Sequence, residues 1–197
     1  MPDSLYLSLW FPSFGLEDML PRTLAVMRQF PFSSAQPGIG YASIHPVSWS
    51  EPTILEQRFR PPVPAEQAVL LAADLLHEDY AYLFDAAWDL WVPVDDRRQW
   101  SLEPRPAEFL VHGAEFDDGA YAQKGNIEVD LGLDSPFLQE DVQLTSEAEI
   151  RVRANVQKLV EFTSKAEKAS GASRRLLWSE SEENFAQKLV ARLQKVQ

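Results

Sequence analysis

Asp85 and Asp89 stand four residues apart in Tyr80–Val92, a stretch that also holds Trp88 and Trp91. Two carboxylates at a fixed spacing can share acid–base work, and a tryptophan beside them can stack on a ring or cover a partner. Local conformation decides which use is open. On a strand the two aspartates lie about 13 Å apart, at ~3.3 Å per residue. That exceeds the ~5–9.5 Å between the carboxyl groups of glycosidases. On a helix they come within about 6 Å on one face. The aromatic enrichment and the polar break at His77-Glu78-Asp79 predict a strand. Tyr80, Tyr82, Phe84, Trp88, Leu90 and Val92 then share a buried face, and Trp91 lies opposite, beside Asp85 and Asp89. Asp85, Asp89 and Trp91 are the candidate binding residues.

Other chemistry finds less support. The histidines, His45, His77 and His112, have no i, i+4 pairing, so no metal site is expected. Asp117-Asp118-Gly119 lacks the alternating aspartates of a calcium loop and reads as a turn. Gly38-Ile39-Gly40 has no third glycine, and a strand rather than a helix follows it, so no dinucleotide site is expected. There is no phosphate-binding loop and no nucleophile elbow. No cofactor is predicted. The chain has no cysteine, which removes disulfides, thiol nucleophiles and sulfur-ligated zinc.

Charge narrows the partners. The net charge is −12 over 197 residues. Residues 1–104 hold six arginines and no lysine against 14 acidic residues. Such a chain is poorly matched to nucleic-acid phosphates or an anionic membrane. No apolar run approaches the ~18 residues of a membrane span. No signal-peptide pattern opens the chain. The expected location is therefore the cytoplasm.

The elements that must position these residues follow from periodicity and punctuation. Ser4–Phe11 alternates as a strand. A helix is expected from Pro21, with Leu20, Leu24, Met27 and Phe30 on one face. Residues 33–40 form a loop. Tyr41–Trp49 is a strand that Pro46 should push to an edge or a bulge. Thr53–Arg60 pairs with it, Pro61 and Pro62 stiffen the approach, and a helix starts at Pro64. With Tyr80–Val92 the order is β-α-β-β-α-β, that of a ferredoxin-like unit. Residues 93–106 read as a linker. Glu108–Phe116 and Asn126–Leu133 are strands, and Ser135–Gln143 is irregular. A helix opens at the capping box of Ser146 and stops at Gly171. Arg174–Trp178 is a short strand, and Ser179 with Glu182 caps a last helix.

The fold class is thus α+β, with an antiparallel or mixed sheet and helices mainly on one face. The first half is ferredoxin-like and the second is β-β-α-β-α. The chain is read as one unit, 1–197, divisible into 1–92, the 93–106 linker and 107–197. The favoured function is a non-catalytic binding or regulatory protein that takes a protein or small ligand on an acidic surface or sheet face. An immunity-like inhibitor of a basic partner is one form of it. The alternative is a small enzyme with a dispersed site of Asp85, Asp89 and a histidine.

Overall fold

Among the described residues seven strands, several of them alternating apolar and polar side chains, join in one antiparallel sheet. They are β1 (Ser4–Trp10), β2 (Ile39–Pro46), β3 (Leu55–Val63), β4 (Tyr80–Val94), β5 (Gln99–His112), β6 (Ile127–Leu133) and β7 (Arg174–Ser179). Their order is β3-β2-β4-β5-β6-β1-β7. The computed structural model describes residues 2–94, 99–139, 145–181 and 185–194. Six helices accompany the strands among these residues: α1 (Leu16–Met27), α2 (Ala65–Leu70), α3 (Tyr121–Lys124), α4 (Ser135–Leu138), α5 (Ser146–Ser170) and α6 (Phe185–Gln194). No described helix is long and apolar enough to cross a membrane.

One alternating set of strand residues builds the core. Leu5, Leu7 and Leu9 of β1, Phe84 and Trp88 of β4, Phe109 of β5 and Val129 of β6 are buried in the same cluster as Val26 of α1 and Leu159 and Phe162 of α5. Phe30 is its hinge. Its ring lies 5.5 Å from Trp88, 5.2 Å from Phe109 and 5.1 Å from Phe162, two of these contacts edge-to-face. The opposite set of strand residues carries the polar side chains.

Proline punctuation was misleading in three places. α1 begins five residues before Pro21, because the Asp18 carboxylate reaches back to the Gly15 N–H at 3.2 Å and starts the helix there. Pro21 then sits inside the helix, at the cost of one intrahelical bond. β2 is an interior strand, not an edge. Pro46 is its last residue, and the register shift falls at Ile39/Tyr41. Pro61 and Pro62 belong to β3, which is an edge strand and needs no ladder donors on its outer side.

The largest correction concerns residues 93–106. Gln99 onward is strand, and β5 pairs with β4 from Val94↔Gln99 to Ala81↔His112. The expected linker therefore falls in a long hairpin, whose residues 95–98 lie outside the described ones. Pro104 and Pro106 are tolerated because β5 has only β4 as a neighbour there; its pairing with β6 covers Glu108–Val111 alone. The hairpin also displaces the ferredoxin-like arrangement. β5 takes the side of β4 that β2 leaves open, and β1 pairs instead with β6 and β7.

Other elements differ from the sequence expectation in bounds or type. α2 starts after Pro64 but ends at Leu70, followed by a 3-10 turn at Ala73–Leu75. β5 ends at His112, and Phe116–Asp118 is a 3-10 turn. Ser135–Leu138 is a short helix within the segment read as irregular, and 140–144 is not described. α5 is capped by the Thr145 hydroxyl, one residue before Ser146, and stops at Gly171 with φ 73°. Glu182 of the last capping box lies outside the described residues.

Candidate functional site

Register places one polar row across the whole sheet. Arg58 of β3 pairs with Tyr41 of β2, and Tyr41 with Asp85 of β4. Asp85 pairs with Glu108 of β5, and Glu108 with Asp130 of β6. Asp130 pairs with Tyr6 of β1, and Tyr6 with Trp178 of β7. At ~4.8 Å between strands, the row runs roughly 29 Å. Its ends are aromatic: Arg58 lies 5.2 Å from the Tyr41 ring centroid, and Tyr6 stacks on Trp178 at 4.6 Å. Its middle is three carboxylates on adjacent strands.

Like charges directly opposite on neighbouring strands repel, with Cβ atoms about 4.5–5.5 Å apart. The electrostatics reflect this. Burial raises the Glu108 carboxyl above its usual range, and Asp85 and Asp130 on either side raise it further. Burial also raises Asp85, with Arg58 pulling back. Asp130 is raised by burial, against a 2.8 Å hydrogen bond from the Gly132 N–H. One row along the strands, Glu128 of β6 pairs with Ser8 and with Leu110. It is only 4% exposed, and its Oε2 has no hydrogen-bond partner. Burial pushes it to about 7, Lys124 opposing and Asp130 assisting.

A hollow of about 340 Å³ opens over part of the row. Tyr41, Arg58, Asp85, Arg105 and Glu108 line it, with Gly38 and Gly40. One Asp85 oxygen is buried without a partner. Among the described residues, no group of three or more acidic, His or Cys side chains is arranged to hold a metal ion. Its lining thus sets two carboxylates beside two guanidinium groups.

Asp89 and Trp91 sit elsewhere on β4. Asp89 accepts hydrogen bonds from the Ser33 hydroxyl at 2.6 Å and from the Ser34 N–H and hydroxyl at 3.0 Å. Burial would raise its carboxyl, but these bonds and the charge of Lys158 outweigh it and hold it below the usual range. It fastens the 33–36 loop along the side of β4 that β2 has left. Trp91 is half-buried under the Arg151 guanidinium, 3.8 Å from the ring centroid. Its backbone N–H and C=O are both bonded to the buried Asn155 side chain, which also donates to the Pro136 carbonyl. Asn155→Ala strands these groups. It should cost about 2 kcal/mol, read as a lower midpoint in urea unfolding at unchanged slope.

The histidines do not join the carboxylates. His45 and His112 lie in the register row through Ala81, with the Trp49 ring 4.7 Å from one and 6.1 Å from the other. His112 is fully buried, and burial drops it to about 4, so it is neutral. His77 rests on Tyr80 at 4.4 Å. None lines the hollow. Glu108, Glu128 and Asp130 were not among the sequence candidates. Their signal was the i, i+2 spacing of acids in Ile127–Leu131 and the alternation of Ala107–Val111, which marks a polar face but not its neighbours. Comparison with protein-family models, with curated proteins and with solved structures finds no match to this chain.

Proposed function

We propose that this protein is a non-catalytic binding protein that docks a basic partner on the sheet face carrying Asp85, Glu108 and Asp130. One observation carries the reading: three carboxylates are held side by side on adjacent strands, where the outer two raise the cost of ionising the middle one. A fold optimised for stability alone would intersperse cations there. A partner's ammonium or guanidinium groups would supply the missing charge on binding, and electrostatic steering by a −12 chain would speed the encounter. An immunity-like inhibitor of a basic protein is one concrete form. The surface is intracellular in this reading, in the cytoplasm.

The test is calorimetric titration with an oligo-lysine peptide, with oligo-glutamate as control. Wild type should bind oligo-lysine saturably. The triple variant Asp85→Asn, Glu108→Gln, Asp130→Asn should bind at least tenfold more weakly while melting no lower than wild type. A second triple variant, Glu17→Gln, Glu51→Gln, Asp74→Asn, removes the same charge from exposed positions. If it weakens binding equally, the attraction belongs to net charge, and the site reading fails.

A further inference from the structure

A second cavity lies where the sheet parts. Pairing of β5 with β6 stops at Glu108↔Asp130. Beyond that point β5 follows β4 alone, and β6 continues along β1 to Leu133. Pro104 and Pro106 offer no N–H to hold the strands together, and β6 bends at Gly132, whose φ of 78° a side chain would strain. The gap is a cleft of about 440 Å³, within the range of small-molecule sites. Its walls are mostly apolar: Leu90 and Val92 from β4, Leu131 and Leu133 from β6, and Pro136 from α4.

Two charged residues line this cleft, and they are unequally engaged. Asp130 already accepts the Gly132 N–H, and burial favours its neutral form. Arg105 is the freer group. Its Nε is buried without a hydrogen-bond partner. Its Nη2 meets Glu103 at 3.1 Å in a pair whose side chains are each more than 40% exposed, a contact of little worth that a better acceptor would displace. A buried guanidinium N–H with no acceptor calls for one, and a carboxylate fits the guanidinium fork in two parallel bonds.

We propose that the cleft between β5 and β6 is a binding site for a small apolar carboxylic acid, its chain against Leu90, Val92 and Leu131 and its carboxylate on Arg105. The cleft borders the acidic row, sharing Asp130 with it, and Arg105 also lines the hollow over Asp85 and Glu108, but the proposal does not depend on the proposed basic partner. The experiment titrates the full chain with octanoate, octylamine and octanol by calorimetry. Octanoate should bind saturably, and the amine and the alcohol at least tenfold more weakly. Arg105→Met should lose at least tenfold in octanoate affinity. Leu133→Trp changes a half-exposed wall residue, fills the cleft and leaves Arg105 in place. It should abolish octanoate binding at an unchanged melting temperature, and so tests the site even if the arginine variant folds poorly. Equal binding of all three probes, no binding of octanoate, or full affinity in Leu133→Trp would each overturn the proposal.

Discussion

Truncating Trp88 to alanine should lower stability by about 3–5 kcal/mol, the usual loss for a fully buried large aromatic. Trp88 is fully buried, and its ring contacts Phe30 at 5.5 Å and Phe137 at 5.7 Å. It therefore couples the long β4–β5 hairpin to the Phe30 cluster and to α4. Its backbone also bridges Phe32, which holds the loop after α1 against β4. At this chain length the loss corresponds to a fall of roughly 10–15 °C in melting temperature. Trp88→Phe should be much milder, under about 2 kcal/mol. The indole Nε1 is buried without a partner, so phenylalanine removes an unsatisfied donor while opening a smaller gap. Thermal melts of both variants check the pair; equal losses would mean that the aromatic packing is not what Trp88 supplies.

Replacing Glu128 by glutamine should stabilise the protein at pH 8 and do so much less at pH 5. Glu128 titrates near 7 in the fold, against an ordinary value near 4.5. The folded state thus holds its proton more tightly than the unfolded chain does. The stability linked to that proton is fully present below about pH 4.5 and is lost as pH rises through about 7. Above that range the fold contains a buried carboxylate whose Oε2 has no hydrogen-bond partner. A shift of this size corresponds to roughly 3 kcal/mol as an upper value. Glutamine copies the neutral form and escapes the loss. His112 acts with the opposite sign: neutral in the fold at about 4, it contributes stability above its ordinary 6.5 that is lost as pH falls towards 4. That contribution is common to wild type and variant, so it cancels in the difference. Urea unfolding of both proteins at pH 5 and pH 8 measures it. The same gain at both pH values would show that ionisation of Glu128 is not its source.

The two predictions concern the two faces of one strand set. Trp88 anchors the apolar side, and Glu128 puts on the polar side a carboxyl whose charged form folding disfavours. The Asp85–Glu108–Asp130 row extends that load over three strands. Stability gained by removing these charges, together with loss of cation binding, would mark the row as retained for contact rather than for the fold.

Much of the local architecture was legible in the chain. The period-two pattern of Ser4–Phe11 and Tyr80–Val92 identified strands and their buried sides, and Asn126–Leu133 was read as a strand. The glycine that ends α5 was readable from type and spacing, and its start was read one residue late, at Ser146 rather than at the capping Thr145. Asp85 was legible as a polar residue on the face opposite Trp88. Its partners were not. Asp89, four residues along the same strand, is turned to use by Ser33 and Ser34, and Trp91 by Arg151 and Asn155, contacts made 55 to 64 residues away in sequence or set by a helix docking.

What the sequence determined by itself is therefore each strand's choice of inner and outer residues, because alternation is a property of one chain segment and needs no neighbour. What only the tertiary structure decided is adjacency. Prolines 104 and 106 look like a linker until β5 is seen to have a single neighbour beside them. Glu108 looks like one exposed acid among many until pairing seats it between Asp85 and Asp130. Strand order and register come from long-range packing that buries Trp88, Phe109 and Phe30 together, and that packing aligns the carboxylates on the opposite face because a strand's two sides cannot be moved independently.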